Sequence, residues 1–111
     1  MNVLCQNKKS GFKYSFIKKI EAGLVLSGWE VKSLKDGNGQ LSESYISIKK
    51  DEIYLCNAHI KSLNMKNAVE AQNPTCKRKL LLNRKEINML QGQVNQQGLT
   101  IVPLKLYSKK R

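Results

Sequence analysis

From Tyr14 to Ile20 the chain alternates with a period of two. Tyr14, Phe16, Lys18 and Ile20 lie on one face and Ser15, Ile17 and Lys19 on the other, which is the pattern of a β-strand. Ala22-Gly23 interrupts the pattern and Leu24-Val25-Leu26 resumes it. A glycine placed so predicts a bulge or a sharp bend, as a small barrel needs at its corners. At Ser27-Gly28-Trp29-Glu30 the chain fits a capping box, in which the serine hydroxyl and the glutamate carboxylate satisfy each other's backbone amides. A short helix is expected after it, with Val31 and Leu34 on its buried face and Gly37 at its end. The next strand, Ser44 to Lys49, buries Ile46 and Ile48 or else Tyr45. Lys50-Asp51-Glu52 then turns the chain, and Ile53 to Ile60 returns as the hairpin partner.

Residues 61–78 are polar, irregular and contain Pro74. Such a length is unusual for a loop in a compact domain, so the segment is either functional or mobile. Asn83-x-x-Glu86 is a second capping signal; the helix after it carries Ile87, Leu90 and Val94 on one face and stops at Gly98. A last strand is expected from Leu99 to Tyr107, where Pro103 removes a ladder donor and points to an edge or a bulge. The order of elements predicts a mainly β fold, an OB-like antiparallel barrel with flanking helices. It forms one domain over 1–111, with about 1–12 as an N-terminal arm. Pattern alone does not separate this from other small α+β domains.

Composition narrows the partner. The chain has 111 residues, 41% of them hydrophobic, enough for a single core. It carries 20 Lys+Arg against 8 Asp+Glu, a net charge of +12. From Lys77 to Lys85, five of nine residues are cationic and none is acidic, around the apolar block Leu80-Leu81-Leu82. An apolar block seats such a segment in a core while the flanks hold positive charge over an anion. A phosphate backbone is the commonest such partner, because each neutralised phosphate releases condensed counterions.

Other chemistry is poorly supported. Cys5, Cys56 and Cys76 are widely spaced and form no Cys-x-x-Cys pair, so neither a zinc site nor a disulfide framework is expected. The lone histidine, His59, has no nucleophile or carboxylate at a motif spacing, and no phosphate loop is present. No signal peptide or membrane span is visible. A cytoplasmic, non-catalytic protein is expected, with no metal, cofactor, small-molecule ligand or membrane partner. Trp29 reads as half-buried beside its cap. Asn83 either caps the second helix or contacts RNA, since one side chain serves only one of these roles well.

Four blocks in order carry a family resemblance: 9–16, 21–34 (Glu21-Ala22-Gly23-Leu24 onward), 78–86 (with Leu80-Leu81-Leu82-Asn83) and 98–107. Together they resemble small protein B, the bacterial SsrA-binding family of trans-translation. The resemblance implies an OB-type barrel that binds the tRNA-like domain of tmRNA (SsrA RNA) and escorts it to stalled ribosomes, meeting small-subunit rRNA there. It implies that Glu21, Leu81 and Asn83 belong to the RNA-contacting surface. Lys8, Lys9, Lys77, Arg78, Lys79, Arg84 and Lys85 are then expected to position phosphates, and a carboxylate such as Glu21 accepts from base amino groups or 2′-hydroxyls.

There are two departures from the family pattern. Gly11-Phe12 stands where many members carry Arg-His. The chain also stops at Lys109-Lys110-Arg111, where members continue into a further strand and a basic tail that engages the ribosome. This form is therefore expected to bind tmRNA as a monomer, with an open edge strand that invites dimerisation, and to lack the tail's ribosomal function. The rival readings are a general OB-fold RNA-binding domain and a ribosome-associated protein. The first predicts exposed aromatics on strand faces, whereas aromatics are only 6% of the chain and most alternate inward.

Overall fold

In the computed structural model, residues 2–7, 18–62 and 73–108 are described, and they form eight strands and two helices. In chain order these are β1 (Asn2–Gln6), β2 (Gly23–Leu24), α1 (Gly28–Lys35), β3 (Gly39–Gln40) and β4 (Tyr45–Lys49). There follow β5 (Glu52–Cys56), β6 (His59–Ile60), β7 (Arg78–Leu81), α2 (Arg84–Gln97) and β8 (Lys105–Ser108). All pairings are antiparallel. The central sheet has the order β2-β7-β5-β4, and β1-β8 and β3-β6 form two further ladders. The expected barrel is thus recovered as antiparallel sheet with two helices, but its ladders are not closed into one ring among the described residues.

Alternation decides which side of the central sheet is buried. Ile46, Leu55 and Arg78 stand in one cross-strand row and face the interior, while Ser47, Tyr54 and Lys79 form the neighbouring row on the other face. The interior divides into two packed groups. Cys5, Leu34, Leu41, Leu55, Ala58 and Ile60 form one, and Ile53 with Ile87 and Leu90 of α2 forms the other. Leu34, at 1% exposure, is the main contribution of α1, and burying such a side chain contributes about 1.5–3 kcal/mol. Burial in the first group pushes the Cys5 thiol above its ordinary pKa. Gly39 is a close approach in this packing: a Cβ there would lie 2.5 Å from Leu34 Cδ2, so the Leu34 side chain would have to shift.

Both helix starts follow the sequence. Glu30 Oε1 accepts from the amide of Ser27 at 2.8 Å, and Asn83 Oδ1 accepts from the amide of Glu86 at 2.8 Å. Gly37 and Gly98 take positive φ just past the helix ends, as expected. The turn after β4 carries Lys50 and Asp51 at φ 50° and 66°, the primed geometry that matches strand twist. Ile46 and Ile48 pack inward, and Tyr45 is exposed, which resolves the alternative left open by the pattern.

In the described part of the N-terminal arm, Asn2–Gln6 pairs with β8. Three expectations are corrected. In α1, Val31 is exposed, and Glu30 and Ser33 are buried instead; Ser33 Oγ donates to the Lys61 carbonyl at 2.6 Å. The return strand of the hairpin breaks at Asn57 (φ 59°), so His59–Ile60 leaves β4 and pairs with β3. Finally, residues 99–104 are not strand and only Lys105–Ser108 is. The carbonyls of Pro103 and Leu104 accept from Asn7, a fixed corner in place of a ladder. The predicted strand from Tyr14 lies mostly outside the described residues, and its described end, Lys18–Ile20, is irregular. Of the loop at 61–78, the middle is also outside them.

Candidate nucleic-acid interface

Strand β7 splits the cationic run by its period of two. Arg78 and Leu80 turn inward, Lys79 and Leu81 outward, and the chain then enters α2 through Leu82 and Asn83. The β4–β5 turn comes alongside. Together these elements enclose an open groove of about 630 Å³, whose walls include Glu21, Leu81 and Asn83 with Lys79, Arg84, the turn residues Lys50 and Asp51, and Glu52 and Ile53 of β5. Folding therefore brings Glu21 to the same groove as Leu81 and Asn83, from about 60 positions earlier in the chain.

Each of the three is held differently. Leu81 is 55% exposed, an unusual state for a large apolar side chain. It lies over Gly23, its partner in register, where a Cβ would come 3.1 Å from that of Leu81. Gly23, read from the pattern as a bulge or a sharp bend, leaves room for Leu81. Glu21 is exposed and accepts from the Tyr107 hydroxyl, which ties it to β8. Asn83 uses its oxygen as a cap, and Glu86 Oε1 accepts from its amide at 3.3 Å. The Nδ2 group makes no hydrogen bond to a described residue, so capping and outward donation are compatible.

The cations do not form the uniform phosphate patch that the run implied. Arg78 is 2% exposed. Its Nε pairs with Glu30, Nη1 donates to the Ala58 carbonyl at 2.6 Å and Nη2 to that of Pro74 at 2.9 Å. A guanidinium with its donors engaged inside the protein is a core cross-link, not a phosphate contact. Lys79 pairs with Glu52 at 3.1 Å and Arg84 with Asp51 at 3.0 Å, both pairs exposed. Lys77 rests over the Tyr54 ring, 4.5 Å from its centroid, and Lys85 is exposed. Lys8 and Lys9 lie outside the described residues.

Folding thus brings four carboxylates, Glu21, Asp51, Glu52 and Glu86, among three cations, Lys50, Lys79 and Arg84. Glu52 accepts from the Tyr54 hydroxyl at 2.5 Å as well as from Lys79. Its carboxyl is held below its ordinary pKa, first by Tyr54 and then by Lys79, and the Tyr54 phenol is correspondingly raised. A groove with both signs and a central apolar side chain is suited to a polar, structured ligand more than to a bare polyanion. Asp51, Glu52 and Tyr54 were missed by the sequence reading. They carry no motif, and only the hairpin register places them beside β7.

No cluster of three or more metal-ligating side chains occurs among the described residues, and no described helix is long and apolar enough to cross a membrane. His59 is exposed on β6.

Comparison with known proteins adds a lineage. Residues 4–111 match the family model described as SmpB protein. The SsrA-binding protein of Ruthia magnifica subsp. Calyptogena magnifica is 48% identical over 107 residues, 96% of this chain and 65% of the relative. That of Agrobacterium fabrum is 44% identical over 109 residues, 98% of this chain and 68% of the relative. The chain therefore spans about two thirds of the length of these relatives. A solved structure described as "tmRNA-SmpB: a journey to the center of the bacterial ribosome" superposes with a TM-score of 0.74 at 38% identity, covering 95% of this chain and 73% of the other.

Proposed function

Because the chain belongs to the SmpB family, we propose that it binds the tRNA-like domain of tmRNA and delivers that RNA to stalled ribosomes for trans-translation. The observation that carries this reading is the convergence of Glu21, Leu81 and Asn83 on one groove. Leu81 packs on an exposed base or sugar face, Asn83 Nδ2 donates to an RNA acceptor, and Glu21 accepts from a base amino group or a 2′-hydroxyl. Lys79, Arg84 and Lys85 position phosphates at the rim, and the two rim ion pairs exchange their carboxylates for phosphate on binding. The protein acts by binding, without catalysis, in the cytoplasm. The three antiparallel sheets are read as segments of one OB-type barrel that holds the groove rigid.

Gel-shift competition tests the reading. The tRNA-like domain should outcompete tRNA, poly-U and duplex RNA, and Leu81→Asp should abolish that preference. Equal competition by poly-U would replace this function with general single-strand binding.

A further inference from the structure

The outward face of the β4–β5–β7 sheet continues beyond the groove, whose walls take only Glu52, Lys79 and Leu81 from it. Ser47, Tyr54 and Lys79 oppose one another across its three strands. Tyr45, 57% exposed, stands diagonally from Tyr54 on the same face, within reach for aromatic side chains. Lys49 opposes Glu52 at the hairpin end, and Lys77 lies across the Tyr54 ring. We propose that this face stacks an unpaired RNA base on Tyr54 while Lys77 and Lys79 hold the flanking phosphates. The proposal rests on the RNA-binding function above and extends its contact surface.

Three observations carry it. First, the ring is fixed before any ligand arrives, because its hydroxyl donates to Glu52 at 2.5 Å and its backbone is paired on both sides. A preorganised ring loses little freedom on stacking. Second, the group that covers one face of the ring is the exposed Lys77 ammonium, which a planar group displaces, leaving that ammonium within reach of the group's phosphate. Third, Glu52 and Lys79 belong to both the groove and this face. A strand leaving the groove therefore crosses Tyr54 next. The face carries Lys49, Lys77 and Lys79 against the single carboxylate Glu52, in a chain of net charge +12. Tyrosines bracketed by lysines on a sheet face match the stacking-and-phosphate pattern of single-stranded RNA contacts.

The test uses the 111-residue chain and a tRNA-like RNA with an unpaired flanking segment. Tyr54→Leu keeps the charge and the bulk and removes the stacking surface, so affinity should fall about tenfold. Tyr54→Phe should stay within twofold of the parent, and retention on heparin should be unchanged in both. Zero-length ultraviolet cross-linking with peptide mapping should place a nucleotide on Tyr54 or Tyr45. Parent-like affinity of Tyr54→Leu, with no cross-link on β4 or β5, overturns this proposal and leaves the groove reading standing. If the parent binds no RNA at all, both fall. Should Tyr54→Leu fail to fold, Tyr45→Ser and Lys77→Ser at exposed positions decide, and unchanged affinity in both overturns the stacking face.

Discussion

At the scale of single residues, Arg78 and Arg84 show how little a residue type says by itself. The two lie six positions apart in one cationic run, yet side-chain exposure is 1% for Arg78 and 67% for Arg84. Removing one partner of a buried pair leaves the other charge stranded, at a cost of about 3–5 kcal/mol. An exposed pair contributes less than about 1 kcal/mol. Arg78→Ala should therefore lower the urea midpoint severely and Arg84→Ala barely. Equal effects in denaturant titration would place Arg78 on the surface. Asn83 gives a second contrast. Asn83→Ser preserves a cap, so the melting temperature should hold while affinity for the tRNA-like RNA falls by about 1–3 kcal/mol. Unchanged affinity would confine Asn83 to capping.

At the scale of elements, the β4–β5 hairpin both builds and tunes the groove. Its turn holds two residues that are not glycine at positive φ, a conformation that costs each about 1–2 kcal/mol relative to glycine. Asp51→Gly should raise stability by about 1 kcal/mol and lose only the exposed Arg84 pair; a lower melting temperature would show the pair to matter more. Glu52 gives the hairpin a pH dependence. Its folded pKa lies below the ordinary value of 4.5, so its contribution is present above that value and is lost as pH falls through the folded pKa. Glu52→Gln should remove that part of the acid limb in pH-dependent denaturation, and an identical limb would show the Tyr54 and Lys79 contacts to be absent in solution. Gly39 acts between elements. Gly39→Ala drives a methyl group into Leu34, and overpacking of that kind should cost about 1–3 kcal/mol, read as a lower melting temperature.

At the scale of the molecule, net charge and local geometry do different work. A charge of +12 steers any polyanion toward the surface, and that attraction weakens with salt. Each phosphate neutralised steepens the log–log salt slope by roughly 0.7–0.9. The double variant Arg84→Ala with Lys85→Ala should flatten the slope by one to two such increments in binding isotherms across salt. An unchanged slope would remove the α2 end from the interface.

The sequence by itself determined the helices, because capping residues and terminal glycines act within a few positions of one another. It also determined the β4–β5 hairpin, the positive charge and, through four family blocks, the three residues that meet in the groove. Only the tertiary structure decided which charges are free to act. Whether Arg78 points in or out depends on the parity of β7 and on Glu30, which lies 48 positions earlier. That Lys79 meets Glu52 depends on the hairpin register. The pairing of β1 with β8 joins the two ends of the described chain, and no local pattern encodes so distant a partner. Short-range preferences are written in neighbouring residues, whereas burial and ion pairing are properties of residues that only folding makes neighbours.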